Sequence, residues 1–182
     1  TDGINTIKAT VLPSGACFIA NFPTTNTKPI KSFSATVTHI SVNPKNASHV
    51  VVALGQYDSF ITDHIYRSTD ALSTLPLPIF ESIQGTTASK LPQMPVYSCL
   101  IEKDESNIVI VGTEYGMFAT QNADDAVAEN VKWSEENLGM SIVPVYQIRQ
   151  QTYGNGWTTG VNNAGVVYIS THGRGIFQCT KY

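Results

Sequence analysis

Charged residues are scarce in this chain of 182 residues. Aspartate, glutamate, lysine and arginine make up 14% of it, against about 25% in an ordinary soluble domain. The formal net charge of −3 gives no reason to expect nucleic acid or an anionic membrane as a partner. Serine, threonine, asparagine and glutamine supply the polarity instead. That composition suits short strands and turns, and it favours a secreted or surface-exposed protein over a cytosolic enzyme.

Long apolar runs and helical periodicity are also missing. No run approaches the ~20 residues of a transmembrane helix, so no membrane span is predicted. Only residues 123–129 have a helix-forming composition, enough for a single turn. The chain starts on polar Thr1-Asp2-Gly3, without the apolar core of a signal peptide. We therefore expect it to be part of a longer precursor.

The sequence lacks the spacings of metal sites as well. Cys17, Cys99 and Cys179 lie far apart in apolar runs, which favours buried small side chains, with a disulfide as the alternative. The four histidines occur singly, which favours hydrogen-bonded histidines over metal ligands; they are His39, His49, His64 and His172. Neither a metal nor an organic cofactor is predicted.

What the chain does contain is a repeat. The tripeptide Pro-Val-Tyr occurs at residues 95–97 and 144–146. Each copy begins a strand–turn–strand pattern that steps through a glycine into a third strand with an aromatic residue, Phe118 or Phe177. An earlier copy starts at Val37 without the tripeptide, and a fainter one starts at Ile7. The chain is thus divided into units at about residues 6–36 (partial), 37–94, 95–143 and 144–182, and their mean length is typical of four-stranded propeller blades.

The strand signals within one unit define the predicted architecture. Strands are predicted at residues 37–43, 49–54, 64–68 and 78–83, separated by turn sequences rich in proline, asparagine and serine. Tyr66, Phe118 and Phe177 are predicted at equivalent third-strand positions, packed between blades. The insert at residues 152–165 is predicted to form an exposed hairpin. The fold prediction is an all-β chain, one segment of a β-propeller with four-stranded antiparallel blades, forming part of a larger ring over residues 1–182.

Polar turn motifs carry a family resemblance. Residues 68–75, Ser-Thr-Asp-Ala-Leu-Ser-Thr-Leu, match the Asp-box pattern S-x-D-x-G-x-T-W, with Leu72 for the glycine and Leu75 for the tryptophan. Its Asp70 carboxylate and Ser68 hydroxyl are expected to satisfy turn amides. Residues 120–122, Thr-Gln-Asn, form a weaker copy, with Trp133 in the aromatic role.

Together with residues 111–118 and the closing Thr-His-Gly-Arg-Gly-Ile-Phe at 171–177, these motifs resemble the carboxy-terminal blades of BNR (Asp-box) β-propellers. The resemblance spans roughly residues 37–179. The resemblance implies that the chain is related to the sortilin-like or xyloglucanase-like repeat proteins of bacterial secretomes. Large secreted proteins of Bacteroidetes often carry such propellers, some with a type IX secretion sorting domain; no such sorting domain is visible here.

Residues for catalysis are few. Glycoside hydrolysis needs two carboxylates flanking one bond, and the candidates are Asp58, Asp63, Glu81 and Glu114. Nothing in the sequence pairs them, and Glu114 stands in a turn where a structural role is favoured. A sialidase would need an arginine cluster, but the only arginines are Arg67, Arg149 and Arg174. No catalytic residue is assigned.

The sequence therefore predicts a non-catalytic scaffold, secreted or exposed at the cell surface, that binds protein or glycan. In a Gram-negative bacterium it would be associated with the outer membrane, with the rest of a precursor or other chains of a surface assembly as partners. The aromatic residues of the longest loops are the predicted contacts, with folding over their own loops as the alternative; they are Tyr57, Phe60, Tyr153 and Trp157. The alternative function is the carboxy-terminal part of a xyloglucanase-like or sialidase-like glycoside hydrolase.

Overall fold

The computed structural model of the chain describes residues 8–11, 17–20, 29–58, 60–157 and 160–180. The chain divides into two compact units, Thr1–Ser32 and Phe33–Tyr182. In the first unit, the described strands β1 (Lys8–Val11) and β2 (Cys17–Ala20) pair as an antiparallel hairpin. All further elements belong to the second unit.

The second unit contains three antiparallel sheets, each with its strands in sequence order. The first sheet consists of β3 (Val37–Asn43), β4 (Asn46–Leu54), β5 (Ile65–Ser68) and β6 (Glu81–Ser82). The middle sheet consists of β7 (Val96–Ile101), β8 (Val109–Thr113), β9 (Gly116–Thr120) and β10 (Ser134–Glu135). The last sheet consists of β11 (Val145–Gln150), β12 (Val167–Thr171) and β13 (Gly175–Cys179). The all-β prediction is confirmed.

Most predicted strands lie where the sequence placed them. The first coincides with β3, and the second and third differ from β4 and β5 only at their starts. The fourth shrinks to the two residues of β6. The insert at 152–165 contains no strand in its described residues, so the hairpin predicted there is not found. The helical turn predicted in 123–129 appears slightly later, as a 3-10 turn at Ala128–Asn130.

The first strands of the three sheets, which we call the lead strands, share one irregularity. In β3, β7 and β11 the pairing register shifts between Val37 and His39, between Val96 and Ser98, and between Val145 and Gln147. Each shift is a β-bulge that leaves one residue out of the ladder. The bulged residues are Thr38, Tyr97 and Tyr146, so both repeated tyrosines occupy the same structural position.

Side-chain acceptors join each lead strand to the next. The backbone N–H of Cys99 donates to His39 Nδ1 at 3.2 Å, and that of Ile101 donates to Ser41 Oγ at 2.9 Å. The N–H of Ile148 donates to Ser98 Oγ at 3.0 Å. Polar side chains in otherwise apolar strands thus supply the hydrogen bonds that a sheet partner would supply.

Two apolar cores lie between the sheets. We call the contact of the first with the middle sheet the first interface, and that of the middle with the last sheet the second interface. The first is filled by residues such as Val51, Ile65 and Val111, and the second by residues such as Ile110 and Ile148. At Gly112 the middle and last sheets approach so closely that a Cβ atom would lie 2.7 Å from the Val145 carbonyl oxygen.

The three third-strand aromatics occupy equivalent register positions, as predicted. Tyr66 pairs with Val52, Phe118 with Val111 and Phe177 with Ile169. Phe118 packs in the first interface and Phe177 in the second. Tyr66 instead packs on the outer face of the first sheet, against Phe33 and Phe80. All three are half-buried.

The Asp-box-like turns satisfy backbone donors as predicted. Asp70 Oδ1 accepts from the Ser68 hydroxyl at 2.9 Å and from the Ile79 N–H at 3.0 Å. Asn122 Oδ1 accepts in the same way from the Thr120 hydroxyl at 3.0 Å and from the Lys132 N–H at 3.0 Å. The weaker sequence copy thus forms the same turn.

One assignment in the first of these turns is corrected. Leu75, expected in the place of the motif tryptophan, is 91% exposed. Phe80 occupies that place, because it follows Ile79 as Trp133 follows Lys132, and it packs with Phe33 in the apolar cluster on the outer face of the first sheet. Trp133 itself is buried in the first interface, as its predicted role requires.

Candidate functional site

The bulges of β7 and β11 present two tyrosines at one edge of the sheets. We call the edge where the lead strands begin the upper edge; Val37 pairs there with Leu54, Val96 with Thr113 and Val145 with Thr171. The turns after Leu54, Thr113 and Thr171 therefore reach the same edge. The bulged Tyr97 and Tyr146 rings contact each other edge to face, with centroids 5.2 Å apart.

A carboxylate binds the first of these tyrosines. Glu114, in the turn between β8 and β9, accepts a hydrogen bond from the Tyr97 hydroxyl at 2.5 Å. Tyr57, from the loop between β4 and β5, interacts electrostatically with both members of this pair. Partial burial, followed by the interaction with Glu114, raises the pKa of Tyr97 above its ordinary value, because the carboxylate disfavours a second negative charge. The phenols are thus held protonated, as hydrogen-bond donors.

Exposed side chains surround the hydrogen-bonded pair of Tyr97 and Glu114. Tyr115 lies beside Glu114 in the same turn and interacts electrostatically with Tyr57. The ring of His172 contacts that of Tyr146, with centroids 5.8 Å apart. Tyr57, Tyr115 and Tyr146 are 70%, 62% and 49% exposed. We call the group formed by Tyr57, Tyr97, Glu114, Tyr115 and Tyr146 the tyrosine patch.

A cleft opens beside Tyr57. It has a volume of about 350 Å³, and its lining includes Asp58, His64, Met94 and Pro95. Gln56, also in its wall, has a φ angle of 90°, a left-handed conformation that is strained for a residue other than glycine. The loop thus holds Tyr57 between the cleft and Glu114.

The four predicted contact aromatics do not form one surface. Tyr57 and Phe60 lie in the loop between β4 and β5 at the upper edge. Tyr153 and Trp157 follow β11 and so lie at the opposite edge, where their rings stack on each other at 5.5 Å. All four are exposed, Phe60 most of all at 92%. Tyr153 and Trp157 contact each other within one loop, so for this pair the alternative of folding over their own loop stays open.

Of the four candidate carboxylates, only Asp63 and Glu81 line one cleft. Glu81 forms an ion pair with Arg67 at 2.8 Å, and Asp58 accepts from the Phe60 N–H at 2.9 Å. Asp63 and Glu81 line a cleft of about 470 Å³ together with Glu129. Glu114 accepts from Tyr97 in the tyrosine patch, an interaction that agrees with the structural role favoured by the sequence.

Several candidate arginines, histidines and cysteines have structural partners. Arg67 donates to the carbonyl of Asp125 at 3.1 Å and also to that of Ala123, which ties the first sheet to the middle sheet. His39 and His64 bond to backbone groups, and Asn43 Nδ2 lies 3.3 Å from His49 Nδ1. The three thus have hydrogen-bonding partners, as expected.

The thiol of Cys99 is free and buried. Burial raises the pKa of the Cys99 thiol to about 12, which leaves it protonated and unreactive. The side chain of Cys17 lies outside the described residues.

Comparisons with known proteins leave the family open. No protein-family model matches the sequence, and no curated protein is significantly similar to it. The BNR resemblance therefore stays a prediction. Among the described residues, no helix is long and apolar enough to cross a membrane.

The sequence contained an unused signal for the site. Tyr97 and Tyr146 are the last residues of the repeated tripeptide. A repeated aromatic residue at this place has two explanations: its side chain packs in the core, or it is exposed for contact with a ligand. Only the bulge decides between them, because it turns the side chain out of the alternation of the strand. The partner of Tyr97, Glu114, is 17 residues away in the chain, with no spacing rule to link the two.

Proposed function

We propose that the chain is part of a β-propeller that serves as a non-catalytic binding scaffold, with the tyrosine patch as its contact surface. The observation that supports the surface is the convergence of exposed tyrosines from the first, middle and last sheets at one edge. Tyrosine combines a large apolar ring with a polar tip, and it is enriched where proteins meet their ligands.

The propeller arrangement is supported by the way the lead strands follow one another. Each runs beside the next with the same bulge and with side-chain acceptors at matching positions. A stack that continues by the same rule would place the upper edges of all its sheets on one face. The composition, poor in charge and rich in small polar residues, supports a secreted or cell-surface location.

A non-catalytic role is favoured over hydrolysis because most candidate carboxylates have other partners. Glu81 is bonded to Arg67, Asp58 to a backbone amide and Glu114 to Tyr97. The hydrolase alternative keeps one supporting feature, the acidic cleft lined by Asp63, Glu81 and Glu129. A reacting carboxylate needs a partner within reach of the same substrate atom, and the Arg67 pair holds Glu81 in another role.

The test is a ligand screen with two matched double variants. The purified chain is titrated with soluble β-glucan, xyloglucan and sialylated oligosaccharides and with short peptides, followed by nuclear magnetic resonance. We expect at least one saturable ligand whose binding is lost in Tyr115→Ala/Tyr146→Ala and kept in Tyr153→Ala/Trp157→Ala. Loss in the second variant alone would contradict the proposed surface. Turnover of a glycan that Asp63→Asn abolishes would favour the hydrolase.

A further inference from the structure

Within the described part of the chain, Glu114 is a carboxylate among phenols that forms no ion pair. Its hydrogen bond comes from Tyr97, and the ion pairs found among the described residues all involve other acids. A neutral phenol donor leaves the negative charge of the carboxylate in place. The tyrosine patch therefore combines one full negative charge with the electron-rich faces of several aromatic rings.

That combination is the chemistry that attracts a cation. The face of an aromatic ring carries negative potential, and a cation over it gains about 0.5–1 kcal/mol at an exposed site, and more where water is excluded. Asp58 adds a second carboxylate at the wall of the cleft beside Tyr57. Tyr57 is thus flanked by acidic groups on two sides.

Two basic residues of the upper edge lie to one side of this region. They are His172 and Arg174, in the turn between β12 and β13 at the last sheet. The acids Asp58 and Glu114 belong to loops of the first and middle sheets. We therefore expect a cationic ligand to bind at the part of the patch that contains Tyr57, Tyr97 and Tyr115.

We infer that the tyrosine patch binds a basic side chain of a partner protein, arginine in preference to lysine. The inference rests on the proposed function and names its ligand. A guanidinium group is planar, stacks on an aromatic face and can donate two hydrogen bonds to a carboxylate, whereas an ammonium group is a strongly hydrated point charge. The apolar surface of Met94 and Pro95 in the neighbouring cleft suits the aliphatic part of the side chain.

The probe is a fluorescent hexa-arginine peptide, with hexa-lysine and hexa-glutamate peptides as comparisons, in an anisotropy titration at 0.15 M salt. Glu114→Gln removes the charge and keeps an oxygen for the Tyr97 hydroxyl. The matched control is Glu105→Gln, which changes the net charge equally and lies exposed in the turn between β7 and β8. Urea unfolding of each variant checks that the fold is kept.

We expect Glu114→Gln to weaken hexa-arginine binding about tenfold, equivalent to about 1.4 kcal/mol, and Tyr115→Ala to weaken it severalfold. Glu105→Gln should change it less than twofold, and hexa-lysine should bind more weakly than hexa-arginine. Equal effects of the two glutamine variants would show unspecific attraction to an acidic protein and overturn the inference. If an oligosaccharide binds the patch and the basic peptide does not, the proposed function stands and this inference fails. If no ligand depends on the patch, both fail.

Discussion

Between the first and middle sheets, Trp133 fills the outer part of the core, and its indole N–H donates to the Ile83 carbonyl at 2.8 Å. Between the middle and last sheets, the outer part is an apolar cleft of about 460 Å³ lined by residues such as Leu138, Met140 and Phe177. The first and middle sheets have a short fourth strand, whereas the last sheet has three strands in its described residues. The apolar core is therefore covered by Trp133 at the first interface, with the acidic cleft beside it, and is open at the second interface.

The polar contacts of the two interfaces differ as well. Arg67 crosses the first interface to backbone carbonyls of the middle sheet. Its register counterpart at the second interface is Ala119, since Arg67 pairs with Val51 and Ala119 with Ile110. The first interface thus has a buried arginine where the second has an alanine, and the second has hydrogen bonds accepted by Ser98 and Gln150 instead. The comparison predicts unequal stability for two surfaces with equivalent backbones.

Replacing Trp133 by alanine should have the largest effect. The side chain is 6% exposed, and removing a buried aromatic side chain from a core typically costs about 3–5 kcal/mol of unfolding free energy. The control is Leu138→Ala at the open interface, where the side chain is fully exposed and the expected change is within about 0.5 kcal/mol. Urea denaturation measures both. Similar losses would show that the two interfaces are equally closed.

The equivalent aromatics Phe118 and Phe177 provide a matched pair. Both are half-buried, so truncation to alanine should cost less than the about 3–5 kcal/mol of a fully buried ring. We expect about 2–3 kcal/mol for Phe118, which packs beside Trp133, and about 1–2 kcal/mol for Phe177, which borders the cleft. A larger loss at Phe177 in thermal or urea unfolding would reverse the proposed order.

The sequence predicted the strands, the equivalence of these aromatics and the Asp70 turn, because each depends on local patterns of apolar, aromatic and turn-forming residues. It did not predict Phe80 in place of Leu75, because the turn spans nine residues from Asp70 to Ile79, and the motif alone does not fix that length. It also gave no sign that Tyr57 meets Glu114, or that Tyr153 lies at the opposite edge. Those placements depend on which loops share an edge, which only the strand pairing defines.

Substitution of the serine acceptors in the lead strands measures how much each hydrogen bond stabilises its interface. Ser98→Ala leaves the buried N–H of Ile148 without its acceptor, at an expected cost of about 1–3 kcal/mol. Ser41→Ala removes the acceptor of the Ile101 N–H at the first interface, two residues beyond His39, which is the counterpart of Ser98. We expect the smaller loss there, because Thr38 and His39 of the same strand also bond to β7. Chemical denaturation ranks the two variants, and a greater loss for Ser41→Ala would refute this order.

Of the tests proposed, acidification should produce the smallest difference in stability between the two interfaces. His39 at the first interface occupies the position of Ser98 at the second, as the bulges show. Burial, followed by the charge of Arg149, lowers the pKa of His39 below its ordinary 6.5. Burial, followed in the same direction by Arg67 but opposed by Asp124, also lowers the pKa of His49.

A base whose pKa is lower in the folded state binds more protons when unfolded. The free energy of unfolding should therefore fall as the pH drops below about 6.5, the ordinary pKa of histidine, and level off below the pKa values of the folded state. His39→Ser, which copies Ser98 and keeps an oxygen acceptor, should reduce this slope. An unchanged slope in the variant would assign the effect to other groups.

Amide hydrogen exchange locates the same effect at two equivalent positions. The Cys99 N–H donates to His39 Nδ1, and the Ile148 N–H donates to Ser98 Oγ. A protonated imidazole nitrogen cannot accept a hydrogen bond, whereas the serine hydroxyl does not titrate in this range. As the pH falls below 6.5 and His39 takes up its proton, protection corrected for intrinsic exchange should therefore decrease at Cys99 and stay unchanged at Ile148. Parallel behaviour of the two amides would show that the interfaces open together, and that the first interface has no acid sensitivity of its own.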